Sequence, residues 1–473
     1  MILKGSEKIF AALAGKKVLV VGLGRTGLSA ARFLRKNGAL VAATDVQPAS
    51  ALRGISELEA MGVIVEAGGH RKESFLGADM IVVSPGVEGG MPLLKDAETR
   101  GIEVISDIEL VYRFLDAPVF AVTGTNGKST VTALLSEVLK NAGKKAFTGG
   151  NIGVPATEYF EGGEDYDACV LEISSFHLER IKSFRPRVAV LLNITEDHLY
   201  RHGGINEYAE VKFRIFANQT PGDYAVVNVG DPVIKGMIDK GGLIKCNIIP
   251  FSTAGRMTGE GGWLKEGLYL DGGSIMWASA GKEEVYPAEG MHLAGVHNTE
   301  NIMAVIAASR VAGVKREVVC DTVRNFRGLP HRMEFVREKG GVRYINDSKS
   351  TNVGSLCKAL IGMREGVKDK KTVILIAGGK DKGGDYGVLK EAVREKVKLL
   401  ILMGEAKERL KEALSGSTET VEAAGMEEAV RLSALSARPG DTVLFSPACS
   451  SFDMFRDFEE RGMTFRRLVE GLK

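Results

Sequence analysis

The chain of 473 residues is 44% hydrophobic, 26% charged and 7% aromatic, values that are ordinary for a globular protein. At about 150 residues per domain, this length predicts about three domains. Its 62 Lys and Arg residues nearly balance its 60 Asp and Glu residues, for a net charge of +2. Without a basic excess we expect no general nucleic-acid binding. No apolar run approaches the roughly 20 residues of a membrane helix, so we expect no membrane span.

The five cysteines are scattered along the chain, and no two of them form a CxxC pair. This pattern argues against a disulfide framework or a cysteine zinc site, and it is typical of the reducing cytoplasm. The first residues interrupt their apolar stretches with Lys and Gly, so we expect no signal peptide. The sequence therefore predicts a cytoplasmic protein.

Short β-branched runs alternate with helical patterns from the start of the chain, as at Val18–Val21 and Leu40–Thr44. This alternation predicts βαβ units and parallel sheets. A second series begins near Asp116, with almost continuous apolar runs such as Val119–Val122 that are typical of fully buried strands. After about Leu264, short runs punctuated by glycine predict hairpins, and a third strand–helix series follows the segment GLPHRME.

The first glycine motif, GLGRTG at 22–27, follows a predicted strand and opens a predicted helix. Asp45 ends the next strand about 20 residues further on, where a dinucleotide enzyme keeps its ribose-binding acid. Free amides at a helix N-terminus favour an anion, so the motif indicates a phosphate or diphosphate without specifying a nicotinamide cofactor. A glycine turn that only packs the helix on the sheet remains the alternative.

The second motif, TGTNGKST at 123–130, again joins a buried strand to a helix. Its glycines let backbone amides wrap a phosphate, Lys128 can reach the terminal phosphates, and the Ser129 hydroxyl can hold Mg²⁺. Val122 stands where the standard P-loop has its first glycine. A turn without a ligand would not need Gly-Lys-Ser at the start of a helix, so the motif predicts nucleotide binding.

Polar groups follow the next two predicted strands of the same series. Glu172 closes one, and ITEDH at 194–198 follows the other. A carboxylate at the end of a core strand is costly to bury unless it binds something. With Lys128, these groups predict a site for Mg²⁺ and phosphate transfer. Each alone could instead cap the following helix, and His198 could be a surface loop residue.

Three polar loops follow predicted strands of the last series, namely 347–352, 378–382 and 446–452. Because they end strands of one domain, they can converge on one small ligand, and their lysines and hydroxyls indicate that it carries a carboxylate. Each loop alone could be a solvated turn. Upstream, Asn298 and Asn301 share one face of a predicted helix, and capping by Asn298 would leave Asn301 without a role.

The segments TGTNGKST, GGNIG, LEISSF, NITEDHL, HNTEN, LPHRME, NDSKSTN and SPACSSFD stand in this order along the chain. Together they resemble the Mur ligases over essentially the whole chain. Within that family, GLGRTGLS, NDSKSTN and SPACSSFDMF are most similar to the members that add D-glutamate to UDP-N-acetylmuramoyl-L-alanine in peptidoglycan precursor synthesis. The resemblance implies an α/β protein with a Rossmann-like UDP-substrate domain at 1–110, a central P-loop ATPase-like domain at 111–328, and a Rossmann-like amino-acid domain at 329–473.

The resemblance also implies the site residues. The UDP-substrate would contact Thr26, Asp45, Ser84, Gly86, Asn151, Ser174, His177 and His198. ATP would contact Gly124, Thr125, Asn126, Gly127, Lys128, Ser129, Thr130, Asn301, Arg332 and Asp347. D-glutamate would contact Lys349, Thr351, Lys382, Ser451 and Phe458. Ser129 and Glu172 would hold one Mg²⁺, and His198 and a carbamylated Lys212 the second, so that Lys128, Glu172, His198 and Lys212 are the expected catalytic residues. We expect a monomer.

Two positions depart from the family pattern: Tyr200 replaces an aspartate, and His177 stands where related ligases often have Gln. Three alternatives remain open. A nicotinamide-dependent dehydrogenase would explain GLGRTG and Asp45 but leave the second motif unused. A ligase for another amino acid or for folate fits less well, because folate-type ligases lack the UDP-binding first domain. A non-catalytic homologue would not need Lys128, Glu172, His198 and Lys212 intact.

Overall fold

A computed structural model describes residues 6–151, 153–163, 165–195, 199–255, 266–279, 281–287, 293, 295–363, 371–381 and 383–472. The chain divides into two compact units, the first within 1–290 and 296–324, the second within 291–295 and 325–473. None of the helices in the described ranges combines the length and the hydropathy that crossing a membrane requires.

The first unit contains two sheets. The strands of its first sheet are β1 (Lys17–Val21), β2 (Leu40–Asp45), β3 (Ile64–Ala67), β4 (Met80–Val83) and β5 (Glu103–Ser106). They pair in the order β3-β2-β1-β4-β5, and each pair is parallel. The helices of this part of the chain are α1 (Ser6–Leu13), α2 (Arg25–Lys36), α3 (Ile55–Ala60), α4 (Lys72–Leu76), α5 (Pro92–Thr99) and α6 (Asp107–Tyr112).

The second sheet begins after the segment that follows α6. Its strands are β6 (Val119–Thr123), β7 (Ala146–Gly150), β8 (Ala168–Glu172), β9 (Val188–Leu191), β10 (Tyr224–Asn228), β11 (Asn247–Ser252), β12 (Glu266–Asp271), β13 (Ser274–Ser279) and β14 (Lys282–Pro287). They pair in the order β14-β13-β12-β11-β10-β9-β6-β8-β7. The pairs are parallel from β12 to β7, and β12, β13 and β14 form antiparallel hairpins.

The helices between Thr123 and Asn325 cover this sheet. They are α7 (Lys128–Asn141), α8 (Ser175–Leu178), α9 (Leu199–His202), α10 (Ile205–Phe213), α11 (Pro232–Asp239), α12 (Val296–Val311) and α13 (Arg316–Asn325). Because β6, β8 and β9 are buried along their whole length, their side chains are covered on both faces of the sheet.

The second unit contains the third sheet. Its strands are β15 (Glu334–Lys339), β16 (Val342–Asn346), β17 (Val373–Gly378), β18 (Val397–Met403), β19 (Glu419–Glu422) and β20 (Thr442–Phe445), in the order β15-β16-β20-β17-β18-β19. Only the β15–β16 pair of this described sheet is antiparallel. Its helices are α14 (Val353–Gly362), α15 (Lys390–Lys396), α16 (Lys407–Ala413), α17 (Met426–Ser436) and α18 (Phe458–Glu470).

The predicted α/β class with parallel, Rossmann-like sheets is confirmed, and so are the hairpins in the described residues after Leu264. The apolar pattern after the second glycine motif predicts a helix over Val131–Asn141, and in the structure this helix begins three residues earlier, at Lys128. Gly127, at φ +86°, turns the chain directly into the helix, so the polar residues Lys128 and Ser129 fall in its first turn. The bounds 1–110, 111–328 and 329–473 stay a prediction.

Candidate active site

The first glycine loop follows β1 at the point where the strand order of the first sheet reverses, between β1 and β4. Ligands of open α/β sheets bind in the crevice at such a point. Gly22 has φ +90°, and a Cβ added to Gly27 would lie 1.8 Å from the Gly22 carbonyl oxygen. The two glycines therefore let α2 begin close against the end of β1, which places Thr26 in the first helical turn beside the crevice.

Asp45 and Ser84 hold this loop from the two neighbouring strands. The Leu23 amide donates to Asp45 Oδ2 at 2.6 Å, and the Gln47 amide donates to Asp45 Oδ1 at 2.8 Å. Ser84 Oγ donates to the Gly22 carbonyl oxygen at 2.8 Å. A Cβ at Gly86 would meet no atom within 4 Å, so the loop after β4 has open space there. The structure therefore groups the predicted residues Asp45, Ser84 and Gly86 around the first glycine loop. Both carboxylate oxygens of Asp45 accept hydrogen bonds from backbone amides there.

The second glycine loop follows β6, which lies between β8 and β9. Gly124 has φ +149° and Gly127 has φ +86°, conformations that side chains of L-residues rarely adopt. A Cβ on Gly127 would lie 2.3 Å from Asn301 Oδ1, so the amide of Asn301 on α12 packs directly against the loop. Asn301, predicted as a nucleotide contact, is therefore at the loop.

The segment after β9 fixes the second loop in place. The Thr125 amide donates to the Asn193 carbonyl at 2.9 Å, and the Asn126 amide donates to Asn193 Oδ1 at 2.8 Å. The Thr195 amide returns a hydrogen bond to Thr125 Oγ1 at 3.0 Å. No role was predicted for Asn193. The signal that could have found it is its position as the first polar side chain after an apolar run next to the loop strand.

Two lysines meet at the base of this loop. Lys128 Nζ donates to the carbonyl oxygens of Gly124 and Thr125, at 2.9 Å in each case. Lys212 Nζ, from α10, donates to the same Gly124 carbonyl at 3.0 Å and lies 4.5 Å from the centre of the Tyr208 ring. Lys212 is buried. Two ammonium groups therefore converge on one carbonyl oxygen, a positive environment that suits a phosphate.

Glu172 ends β8 beside the loop and is buried. Asn151 Nδ2 donates to Glu172 Oε1 at 3.0 Å, and the Asn151 amide donates to the Glu172 carbonyl at 2.9 Å. Because β8 neighbours β6, Glu172 and Ser129 belong to the same edge of the sheet. Their carboxylate and hydroxyl oxygens are the hard ligands that Mg²⁺ prefers.

Ser174 and His177 form a reciprocal cap at the start of α8. The His177 amide donates to Ser174 Oγ at 3.3 Å, and the Ser174 amide donates to His177 Nδ1 at 3.1 Å. Since Nδ1 accepts, the neutral ring carries its proton on Nε2, which lies 3.4 Å from Asp107 Oδ1. Burial raises the pKa of Asp107 and lowers the pKa of His177. With a side chain that is 0% exposed, His177 shapes the turn after Glu172 and presents no surface to a ligand.

Two predicted residues, His198 and Lys382, lie outside the described residues, as does the side chain of Tyr200. Across the residues that the structure does describe, no three His, Cys, Asp or Glu side chains come together as a metal site. Of the predicted metal ligands, the structure places Ser129, Glu172 and Lys212 at the loop.

In the second unit the three predicted polar loops follow neighbouring strands, since β20 lies between β16 and β17. The Asp347 amide donates to the Phe445 carbonyl at 2.7 Å, and Ser446 Oγ donates to Asp347 Oδ2 at 2.7 Å. Burial raises the pKa of Asp347 to about 6, against the smaller opposite effect of Arg332. Arg332 follows His331, which has the unusual φ of +63° for a non-glycine residue.

The residues predicted for the amino acid lie around the same strand ends. Lys349 Nζ is 5.4 Å from the centre of the Phe458 ring, a cation–π distance. The Thr351 amide donates to the Lys349 carbonyl at 2.9 Å, which folds the loop tightly. Ser451 is buried just after β20. The structure therefore groups Lys349 with Phe458 and holds Thr351 in the same loop.

Arg461 on α18 connects these loops and was not predicted. Its side chain is fully buried, with the guanidinium donating to the Ser348 carbonyl at 2.8 Å, the Ser450 carbonyl at 2.9 Å and the Cys449 carbonyl at 3.1 Å. This burial lowers the pKa of Arg461 to about 10. The available signal was an arginine in helical register with the buried Phe465.

The two glycine loops and the converging polar strand ends define a nucleotide-binding α/β protein. Three family models match the chain: "Mur ligase MurD-like, N-terminal domain" over residues 16–106, "Mur ligase middle domain" over 122–309, and "Mur ligase, glutamate ligase domain" over 331–449. The chain belongs to the Mur ligase family.

Among curated relatives, the UDP-N-acetylmuramoylalanine--D-glutamate ligase of Geobacter metallireducens is 49% identical over 461 residues, which are 97% of this chain and 98% of the relative. The ligase of the same name from Geotalea uraniireducens is 48% identical, with the same coverage. Among solved structures, the UDP-N-acetylmuramate-alanine ligase of Thermotoga maritima is 20% identical, with a TM-score of 0.56 over 97% of this chain and 100% of that one. A pseudomurein peptide ligase type C from Methanothermus fervidus has 19% identity, a TM-score of 0.54 and the same coverage. The two solved structures support the fold alone.

Proposed function

We propose that this protein is the ATP-dependent ligase that adds D-glutamate to UDP-N-acetylmuramoyl-L-alanine in peptidoglycan precursor synthesis. The observation that carries the proposal is the near half identity over almost the full chain with ligases named for this reaction. The glycine loop with Lys128 at its base supplies the phosphate-binding element that such a reaction needs. We place the reaction in the cytoplasm and expect the enzyme to work as a monomer.

A carboxylate oxygen is a poor leaving group, so the reaction must first convert it into a better one. An oxygen of the terminal carboxylate of the UDP-substrate attacks the γ-phosphorus of ATP, the bond to the β–γ bridging oxygen breaks, and ADP leaves with that electron pair. The resulting acyl phosphate is then attacked at its carbonyl carbon by the amine of D-glutamate. Loss of the amine proton and collapse of the tetrahedral intermediate form the amide and release phosphate. His198 is our candidate for accepting that proton.

Phosphoryl transfer is mainly positioning and charge stabilisation. Lys128, already pointing at the loop carbonyls, would turn its ammonium to the terminal phosphates, and the amides of Gly124–Thr130 would hold them. Asn301 packs against the loop and would help place the nucleotide. Arg332 and Asp347, which belong to the second unit, are also assigned to the nucleotide.

The donor set fits Mg²⁺. Ser129 and Glu172 offer a hydroxyl and a buried carboxylate beside the loop, and we assign them to a first ion. His198 and a carbamylated Lys212 would hold a second. When bound, the ions supply charge neutralisation for the phosphate oxygens.

The surroundings of Lys212 support its carbamylation. Its ammonium and that of the half-buried Lys128 donate to the same Gly124 carbonyl oxygen, so two like charges lie close together. Loss of one proton from the ammonium gives the neutral amine, and attack of this amine on CO₂ forms an N–C bond, breaks one C–O π bond and releases a second proton. The product changes the charge at Lys212 from +1 to −1, which removes the repulsion and creates an oxygen ligand.

We assign the parts of the UDP-substrate to the edges of the two sheets of the first unit, where the two glycine loops lie. The crevice with Thr26, Asp45, Ser84 and Gly86 would take the UDP end, while Asn151, Ser174 and His198 would face the sugar-peptide part. We do not extend a direct contact to His177, because it is fully buried. D-glutamate would bind between Lys349, Thr351, Lys382, Ser451 and Phe458, with the lysines facing its carboxylates.

The test is release of phosphate from ATP with Mg²⁺ and UDP-N-acetylmuramoyl-L-alanine, against a panel of amino acids. Release that depends on D-glutamate, with the matching mass gain on the nucleotide sugar, is the expected result. Release with another amino acid would overturn the assignment of the second unit. No release with any of them would overturn the ligase proposal.

A further inference from the structure

The segment Val87–Gly89, just past the loop after β4, is held by two arginines that follow strands of the second sheet. Arg201 Nη1 donates to the Val87 carbonyl at 2.6 Å, and Arg180 Nη2 donates to the Gly89 carbonyl at 3.0 Å. All four residues belong to the first unit. This contact connects the crevice of the first sheet to the layer of the second.

Arg201 is held rigidly by its own partners. Its Nε and Nη2 donate to the two carboxylate oxygens of Glu179 at 2.8 and 2.6 Å, and its guanidinium lies 4.2 Å from the centre of the Phe176 ring. The side chains of Arg201 and Glu179 are only 12% and 17% exposed. A forked ion pair with so little solvent has one well-defined geometry, so Arg201 offers its remaining donor to Val87 from a fixed position.

On its other side, Val87 contacts the first glycine loop. A Cβ on Gly22 would lie 2.6 Å from Val87 Cγ2 and 3.1 Å from Ser84 Cβ. The Val87 side chain thus fills the space that the glycine leaves, while Ser84 Oγ donates to the Gly22 carbonyl. Val87 therefore contacts the loop through its side chain and Arg201 through its carbonyl oxygen, which gives a continuous path from the loop to Arg201.

Arg201 lies in α9, three residues after His198 in the sequence. The next residue, His202, is buried and its Nε2 lies 3.1 Å from Ser175 Oγ, at the start of α8 just after Glu172 and Ser174. The helix that carries Arg201 is therefore fastened to the turn that follows the candidate metal carboxylate.

We propose that Arg201 is a positioning residue that couples the sugar-nucleotide crevice to the metal and phosphate site. Its hydrogen bond to the Val87 carbonyl transmits the position of Val87 to α9, and its forked pair with Glu179 holds the guanidinium in place. The inference rests on the proposed function, because it assigns the crevice to the UDP-substrate and the loop after β6 to Mg²⁺ and ATP. Coupling of this kind is a ratio of affinities, which can be measured.

Gly89 supplies a second way to disturb the contact. A Cβ there would lie 2.6 Å from Glu179 Oε2 and 3.1 Å from Arg201 Nη2, and no positive φ is involved, so Gly89→Ala acts on the ion pair by steric conflict. The adjacent Gly90 is a matched control, because a Cβ added to it would meet no atom within 4 Å.

The experiment measures the Kd of UDP-N-acetylmuramoyl-L-alanine on the full chain with a non-hydrolysable ATP analogue, with and without Mg²⁺. We expect Mg²⁺ to tighten wild-type binding by about fivefold or more. The ratio of the Kd without Mg²⁺ to the Kd with Mg²⁺ should fall toward one in Arg201→Met and in Gly89→Ala. It should recover in part in Arg201→Lys and be retained in Gly90→Ala. A purely structural role would lower the melting temperature and leave the ratio unchanged.

The inference is overturned if wild type has a ratio near one, or if Gly89→Ala and a folded Arg201→Met keep the wild-type ratio. Should Arg201→Met fail to fold, Gly89→Ala decides alone. Failure of the proposed function is a separate result, because it would be seen as no D-glutamate-dependent phosphate release by wild type.

Discussion

Arg461→Met tests whether one buried guanidinium holds the amino-acid loops together. The change removes the donors to the Ser348 and Cys449 carbonyl oxygens, whereas the Ser450 carbonyl keeps the Lys380 amide at 2.9 Å. A buried acceptor left unsatisfied costs about 1–3 kcal/mol, so the loss is about 2–6 kcal/mol for two. Relief of the guanidinium's own burial, which lowers its pKa to about 10, offsets part of this. We expect a net local loss of about 2–3 kcal/mol.

The assay is hydrogen exchange of the loop 446–451, which reports the free energy of local opening. A loss of 2–3 kcal/mol should speed protected amides by about 30- to 150-fold. Because the loops carry Lys349 and Ser451, the KM for D-glutamate should rise as well. Arg467→Met is the matched control, since Arg467 is an exposed arginine on the same helix. Exchange and KM equal to those of the control would refute the reasoning.

Three further predictions concern single residues. Lys128→Ala should abolish phosphate transfer while UDP-substrate binding, measured by calorimetry, stays near wild type. Lys212→Ala should be inactive, and short-chain carboxylates added to the phosphate-release assay should restore part of its activity. Since burial raises the pKa of Asp347 from 3.8 to about 6, the folded state binds its proton more tightly. Its contribution to stability is therefore complete below about pH 4 and lost as the pH rises through about 6; urea unfolding of Asp347→Asn should lack this pH dependence.

The strands that carry the sites could be predicted because they are buried on both faces. The apolar run Val119–Val122 predicts a core strand, and the structure extends it by one residue as β6. The glycine motifs fixed where each crevice begins, since a strand, a glycine turn and a helix leave one arrangement for the loop. Convergence of the three polar loops in the second unit also followed from their places at strand ends.

The sequence does not indicate which partner each polar side chain contacts in the fold. Arg461 lies 113 residues from Ser348, and the chain between them contains several elements that decide whether the two meet. His177 shows the same limit: its type and position favour a ligand contact, but burial against Asp107 makes it a cap for the turn after Glu172. Pairings at such separations depend on strand order, which local patterns do not specify.

Three glycines of this chain stand where one backbone segment closely approaches another. A Cβ on Gly27 would lie 1.8 Å from the Gly22 carbonyl oxygen, one on Gly150 would lie 2.4 Å from the Glu172 carbonyl oxygen, and one on Gly378 would lie 2.0 Å from the Met403 carbonyl oxygen. Each of the three sheets thus has a glycine at its carboxyl edge where no side chain fits. At Gly150 and Gly378 the approach is between the ends of paired strands, β7 with β8 and β17 with β18, whereas at Gly27 it lets α2 begin against the end of β1. Glycine therefore permits the close packing at the edge of each sheet where the predicted site residues follow.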